Sequence, residues 1–135
     1  VKASRGLGDV YKRQIFIKEY AAAVDDYMLT LPKGKIDSHE TMYEAADREL
    51  QEEVGFKSDK MNFIQKLYLA PGYIDHITYM MLAENLKPSS LVGDEPEDLE
   101  IIKVEIPRIN SILEEHKIID SRVYAAVNYI QNIYE

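Results

Sequence analysis

One α/β domain, an α/β/α sandwich around a mixed β-sheet, is the fold class this sequence predicts. Two observations carry that expectation. Short runs rich in β-branched and aromatic residues alternate with segments of helical pattern, both in the middle of the chain and at its end. The chain has 135 residues, 46% hydrophobic and 30% charged, which is an ordinary balance for a soluble domain of one core. No internal repeat or low-complexity stretch divides it.

The first 14 residues, VKASRGLGDVYKRQ, follow neither period, and Lys2, Arg5, Lys12 and Arg13 stand there against Asp9 alone. The run RGLGDVYKRQ resembles a recurrent artefact of translated sequence assemblies. Residues 1–14 are therefore set aside as a non-native or disordered segment, which leaves 15–135 as the domain. Ile15 to Tyr20 (IFIKEY) reads as a strand, residues 21–26 as a turn, and Tyr27 to Leu31 as a second strand. Pro32 and Gly34 break the pattern. Thr41 followed by Glu44 makes a capping box, so a helix is expected from Thr41, with Gly55 as its stop. Ala46, Leu50 and Val54 recur every four residues and form its expected buried stripe. Asn62 to Ala70 and Ile74 to Ala83 are strand-like runs separated by Pro71-Gly72. Ser89 to Asp98 is an acidic loop. Glu100 to Ile106 alternates charged and apolar residues as a strand does. Pro107 suits the first position of a helix reaching about Glu115. Asp120 is a candidate N-cap for a last helix whose Val123, Ala126, Val127, Ile130 and Ile133 are expected to face the core.

Composition removes several function classes. The chain has no cysteine, hence no disulfide framework, thiolate zinc site or thiol nucleophile. Its net charge of −8 argues against nucleic acid or an anionic membrane as partner. An anionic substrate would need local positive charge, which a bound metal ion can supply. No apolar run approaches the roughly 18 residues of a membrane span, and no signal-peptide pattern opens the chain, so a cytoplasmic protein is expected. His39, His76 and His116 are scattered without metal-ligand spacing and read as surface or loop residues. There is no Ser-His-Asp or Gly-rich P-loop arrangement.

The chemistry concentrates in residues 34–56, GKIDSHETMYEAADRELQEEVGF. Neighbours three and four apart share a helix face, so Glu49, Glu52 and Glu53 crowd one side, each like pair costing roughly 0.2–0.5 kcal/mol. A hard divalent cation would turn that repulsion into a site. Arg48 lies four residues from both Glu44 and Glu52 and can pair with either. Glu40 can reach the N-terminal end of the helix or a metal-bound water. Gly34, Glu40, Arg48-Glu49, Leu50, Glu52-Glu53, Gly55 and Phe56 match without a gap the box of the Nudix hydrolases, and the chain resembles that family. The resemblance implies a Nudix-type fold with more sheet before Ile15, so the chain is expected to be truncated at its N-terminus. It implies Glu49, Glu52 and Glu53 as ligands of Mg²⁺ (or Mn²⁺), joined by the backbone carbonyl of Lys33, with Gly34 permitting a tight loop against the helix. Metal ions in such a site polarise phosphoryl oxygens and acidify an attacking water.

Two further features resemble the ADP-ribose pyrophosphatase and ADP-compounds hydrolase branch of that family. One is Pro71, 15 residues beyond Phe56; the other is the loop Gly93-Asp94-Glu95-Pro96-Glu97-Asp98. By that likeness Glu97 is a metal ligand and Glu95 helps activate water, or the two exchange roles. Lys18, Tyr20 and Tyr73 are candidate substrate contacts with Pro71. The implied activity is metal-dependent hydrolysis of the diphosphate linkage of ADP-ribose, NADH or diadenosine polyphosphates, giving AMP and a second phosphate ester. The implied state of the full-length protein is a homodimer. The alternatives are a Nudix hydrolase of other nucleoside diphosphate or triphosphate substrates, and a catalytically impaired nucleotide-binding fragment.

Overall fold

The computed structural model describes residues 13–93 and 99–134. Strand β1 (Arg13–Ala21) is followed by β2 (Asp26–Thr30), helix α1 (Met42–Val54), strands β3 (Phe56–Tyr68), β4 (Ile77–Pro88) and β5 (Glu100–Glu105), then helices α2 (Ile109–Glu115) and α3 (Ser121–Tyr134). A 3₁₀ turn, Ile106–Arg108, leads into α2 with Pro107 in its first turn, where the missing N–H of proline costs nothing.

β1 is the organising strand. It pairs antiparallel with β2 on one edge and β5 on the other. Its side chains alternate between the two faces. Ile15 and Ile17 pack with Leu50 and Val54 of α1 and Ala83 of β4. Phe16 packs on the opposite face with Leu29, Val104, Val123, Ala126, Val127 and Ile130. A helix thus covers each face of the sheet, the predicted α/β/α layering. The ladders are antiparallel. The parallel element is a bridge between Leu29 and Ile119, in which the Asp120 N–H donates to the Leu29 carbonyl at 2.9 Å. β3 and β4 form a separate antiparallel hairpin.

Several boundaries differ from the sequence reading. β1 opens at Arg13, two residues earlier than expected; Arg13 pairs with Glu105 and Gln14 with Val104, and Gln14 is buried. Those two residues thus join the sheet rather than the segment set aside. β3 begins directly at Phe56 rather than at Asn62, because Gly55 takes a left-handed φ of 76° and turns the chain straight from helix to strand. Its first turn of residues is polar and exposed on a two-stranded ribbon, which hides the alternation. On α1 the buried alanine is Ala45, not Ala46. Ile133 is 43% exposed; it is Ile130 and Tyr134, four residues apart, that turn to the core at this end of α3. No helix among the described residues is long and apolar enough to cross a membrane.

Candidate active site

The site is built on α1 and on the loop that precedes it. The Thr41 hydroxyl accepts the Glu44 N–H at 3.1 Å, and the Thr41 N–H donates to the Glu44 carboxylate at 2.9 Å. Glu44 is thereby committed to the cap. Arg48, offered Glu44 or Glu52 by spacing, turns the other way. Its Nη1 donates to Glu49 at 2.9 Å and to Glu52 at 3.2 Å. Its Nε and Nη2 fork onto both oxygens of Glu40, at 2.6 and 2.9 Å, and Nη2 also reaches the Lys35 carbonyl at 2.9 Å. One guanidinium so gathers Glu40, Glu49 and Glu52 and ties the loop to the helix. Glu40 therefore meets Arg48 and the Asp37 N–H, at 2.9 Å, rather than the N-terminal end of the helix.

The Arg48 hydrogen bonds, seconded by the Asp37 N–H, hold the Glu40 carboxyl down at about 2, against 4.5 ordinarily. A depressed carboxylate adds stability that is present above the unfolded value and is lost as pH falls through the folded one. Glu40→Gln is therefore expected to lower Tm at pH 7, with the gap to wild type closing between pH 4.5 and about 2. Thermal melts across that window check this, and a gap unchanged at pH 2 would count against it.

The loop from Pro32 to Lys35 lies against the same carboxylates. A Cβ on Gly34 would stand 1.9 Å from the Glu49 carboxyl carbon, so the close approach requires glycine. The Lys33 N–H donates to Glu53 at 2.9 Å, and the Lys33 ammonium pairs with Glu19 of β1. Gly34, Lys33, Glu49, Glu52, Glu53, Arg48 and Glu40 are thus brought together.

A cleft of about 600 Å³ opens beside them. It is bounded by Leu31 to Ile36, by Met42, Ala45, Ala46 and Glu49 of α1, by His76 to Met81 of the β3–β4 hairpin, and by Arg122 of α3. Lys18 and Tyr20 do not line it. By strand alternation they share the Phe16 face of β1, opposite Ile17, and the Tyr20 hydroxyl bonds Asp25 within its own hairpin. Pro71 and Tyr73 sit in the turn before β4 and do not line it either; Tyr73 is 93% exposed. Glu95 and Glu97 lie outside the described residues. Sequence reasoning missed Arg122, Thr78 and Tyr79 on the cleft wall; His76 is exposed in the loop before β4, as read, and also lines the cleft. No local signal marks these four, because they reach the cleft only through packing of the hairpin and α3.

The residues fit a hard cation. Glu49 and Glu52 offer carboxylate oxygens on side chains only 16% exposed, and the absent Cβ of Gly34 makes room for one of them. Among the described residues no three acids or histidines already converge as a ligand set. Arg48 holds Glu49 and Glu52, and the Lys33 N–H holds Glu53.

The NUDIX domain model matches residues 12–127. The chain is 40% identical over 113 residues to "ADP compounds hydrolase NudE" of Escherichia coli (strain K12), across 84% of this chain and 61% of that protein. It is 29% identical over 119 residues to "ADP-ribose pyrophosphatase" of Bacillus subtilis (strain 168), across 87% and 64%. The chain therefore spans about three-fifths of the length of these curated relatives. A solved structure, "Crystal structure of ADP compounds hydrolase", superposes with a TM-score of 0.84 at 35% identity, over 97% of this chain and 69% of that one.

Proposed function

The chain belongs to the NUDIX family, and from that premise we propose that it hydrolyses the diphosphate linkage of ADP-ribose or a related ADP compound, giving AMP and a second phosphate ester. The observation that carries this reading is the gathered carboxylate set of α1 at the edge of a cleft large enough for a nucleotide, in a chain similar to proteins named for ADP compounds. Glu49, Glu52 and Glu53 are assigned as ligands of Mg²⁺ or Mn²⁺, with the Lys33 carbonyl beside them. Such an ion, when bound, polarises the phosphoryl oxygens and lowers the pKa of water. Arg48 keeps the ligands oriented, as partners behind a metal site do. Glu95 and Glu97 are assigned to water activation and to a further ligand. The cleft wall, rather than Lys18, Tyr20, Pro71 or Tyr73, takes the substrate in a single chain. A homodimer completes the proposal. Apolar side chains left exposed on the β3–β4 hairpin, Phe63, Tyr68 and Ile77, give a second copy something to bury. We also assign the protein to the cytoplasm.

Turnover with Mg²⁺ on a panel of ADP-ribose, NADH, diadenosine triphosphate and deoxynucleoside triphosphates tests the reading. The expected result is release of AMP from the ADP compounds, abolished by a chelator. Preference for a deoxynucleoside triphosphate would overturn the assignment of substrate.

A further inference from the structure

We propose that Arg122 is a specificity-determining contact of this cleft, its guanidinium taking anionic oxygens of the substrate's diphosphate. The proposal rests on reading the cleft as the substrate site. Acids outnumber bases in this chain, 24 to 16, yet among the described residues the charged groups that line the cleft are Lys33, Lys35 and Arg122 with Glu49. Lys33 is committed to Glu19, and the Lys35 side chain stands at the exposed rim. Arg122 is different because it is fixed. Its Nε and Nη2 sit on the Asp120 carboxylate at 3.0 and 2.7 Å, and its Nη1 donates to the Thr78 hydroxyl at 3.1 Å. Asp120 is in turn held by the Thr30 hydroxyl and by the Arg122 backbone N–H, both at 2.9 Å.

The donors left on Arg122 define the kind of ligand that fits. A guanidinium carries five N–H donors. Three are engaged here, which leaves one on each terminal nitrogen, the number a bidentate phosphate takes. Both Asp120 oxygens are occupied, so the pair presents donors and no acceptor to the cleft. Its ligand must accept hydrogen bonds, and a diphosphate is acceptor throughout. Because Asp120 and Thr78 fix the fork in advance, little side-chain freedom is lost on binding.

Equilibrium binding of ADP-ribose and of adenosine, in a chelator so that turnover does not intervene, tests this with Arg122→Gln, Arg122→Lys and Thr78→Val. Arg122→Gln is expected to weaken ADP-ribose binding about tenfold or more and to leave adenosine binding unchanged. Thr78→Val removes one of the ties that fix the fork but no ligand donor, and is expected to weaken ADP-ribose binding by less than Arg122→Gln does, again with adenosine binding unchanged. If Arg122→Gln fails to fold, Arg122→Lys carries the test, since it keeps the charge opposite Asp120 but not the fork and is expected to weaken ADP-ribose binding by less. Wild-type affinity in the folded Arg122 variant, or equal losses for ADP-ribose and adenosine, would overturn the proposal. Binding without cleavage in Mg²⁺ would instead refute the proposed function and leave Arg122 in its role.

Discussion

Glu53→Gln is expected to cut kcat on ADP-ribose by about a hundredfold or more while the fold stays intact. The two halves of that expectation come from different atoms. Glu53 accepts the Lys33 N–H through Oε2 at 2.9 Å, and a glutamine oxygen can accept the same bond, so the loop stays docked on α1. The negative charge is lost, and with it the hold of that position on a hard cation. Glutamine has nearly the same volume, so packing against the end of α1 is preserved. Steady-state kinetics with Mg²⁺ beside a thermal melt separates the two effects. Wild-type turnover in a folded Glu53→Gln protein would remove Glu53 from the chemistry.

Gly34→Ala is the second large effect, and it should fall on activity rather than on stability. The added methyl would stand 1.9 Å from the Glu49 carboxyl carbon and 2.0 Å from one of its oxygens. Those atoms end a flexible side chain, so the clash can be relieved by swinging the carboxylate aside at small cost in folding. Relief of that kind takes Glu49 off Arg48 Nη1, now at 2.9 Å, and out of the ligand set. The expected outcome is a loss of about 10- to 100-fold in metal affinity or activity, the range typical when the surroundings of a metal ligand are disturbed, with Tm shifted by only a few degrees. Mg²⁺ dependence of the rate measures it. A variant with wild-type Mg²⁺ dependence would show that Gly34 does not position Glu49.

What was legible in the sequence is what is local. The capping box of Thr41 and Glu44, the stop at Gly55 and the spacing of Glu49, Glu52 and Glu53 each involve residues within one or two turns, and all appear as read. Arg48 shows where locality ends. Its spacing allowed Glu44 or Glu52, but Glu44 is spent on the cap, and the fork goes to Glu40, which lies outside the helix in the preceding loop. Ala45 replaces Ala46 in the buried stripe, although both line the cleft. The start of β3 is hidden in the sequence because Lys57, Ser58, Asp59 and Lys60 lie on a two-stranded ribbon and carry no apolar alternation. Lys18 and Tyr20 fall on the face of β1 away from the carboxylates, a matter of strand phase that depends on which neighbours cover each side. Arg122 and Thr78 are separated by more than forty residues and meet only through the packing of α3 on the hairpin. No window of sequence contains that contact.

The proposed activity requires that the α1 carboxylates hold a divalent cation. Mn²⁺ titrated into the protein and followed by the loss of its free-ion paramagnetic resonance signal measures that most directly. Wild-type protein is expected to take up Mn²⁺ in competition with Mg²⁺, and a variant with Glu49, Glu52 and Glu53 all changed to glutamine is expected to take up none at the same concentrations. Equal uptake by the two folded proteins would show that Glu49, Glu52 and Glu53 do not hold the ion.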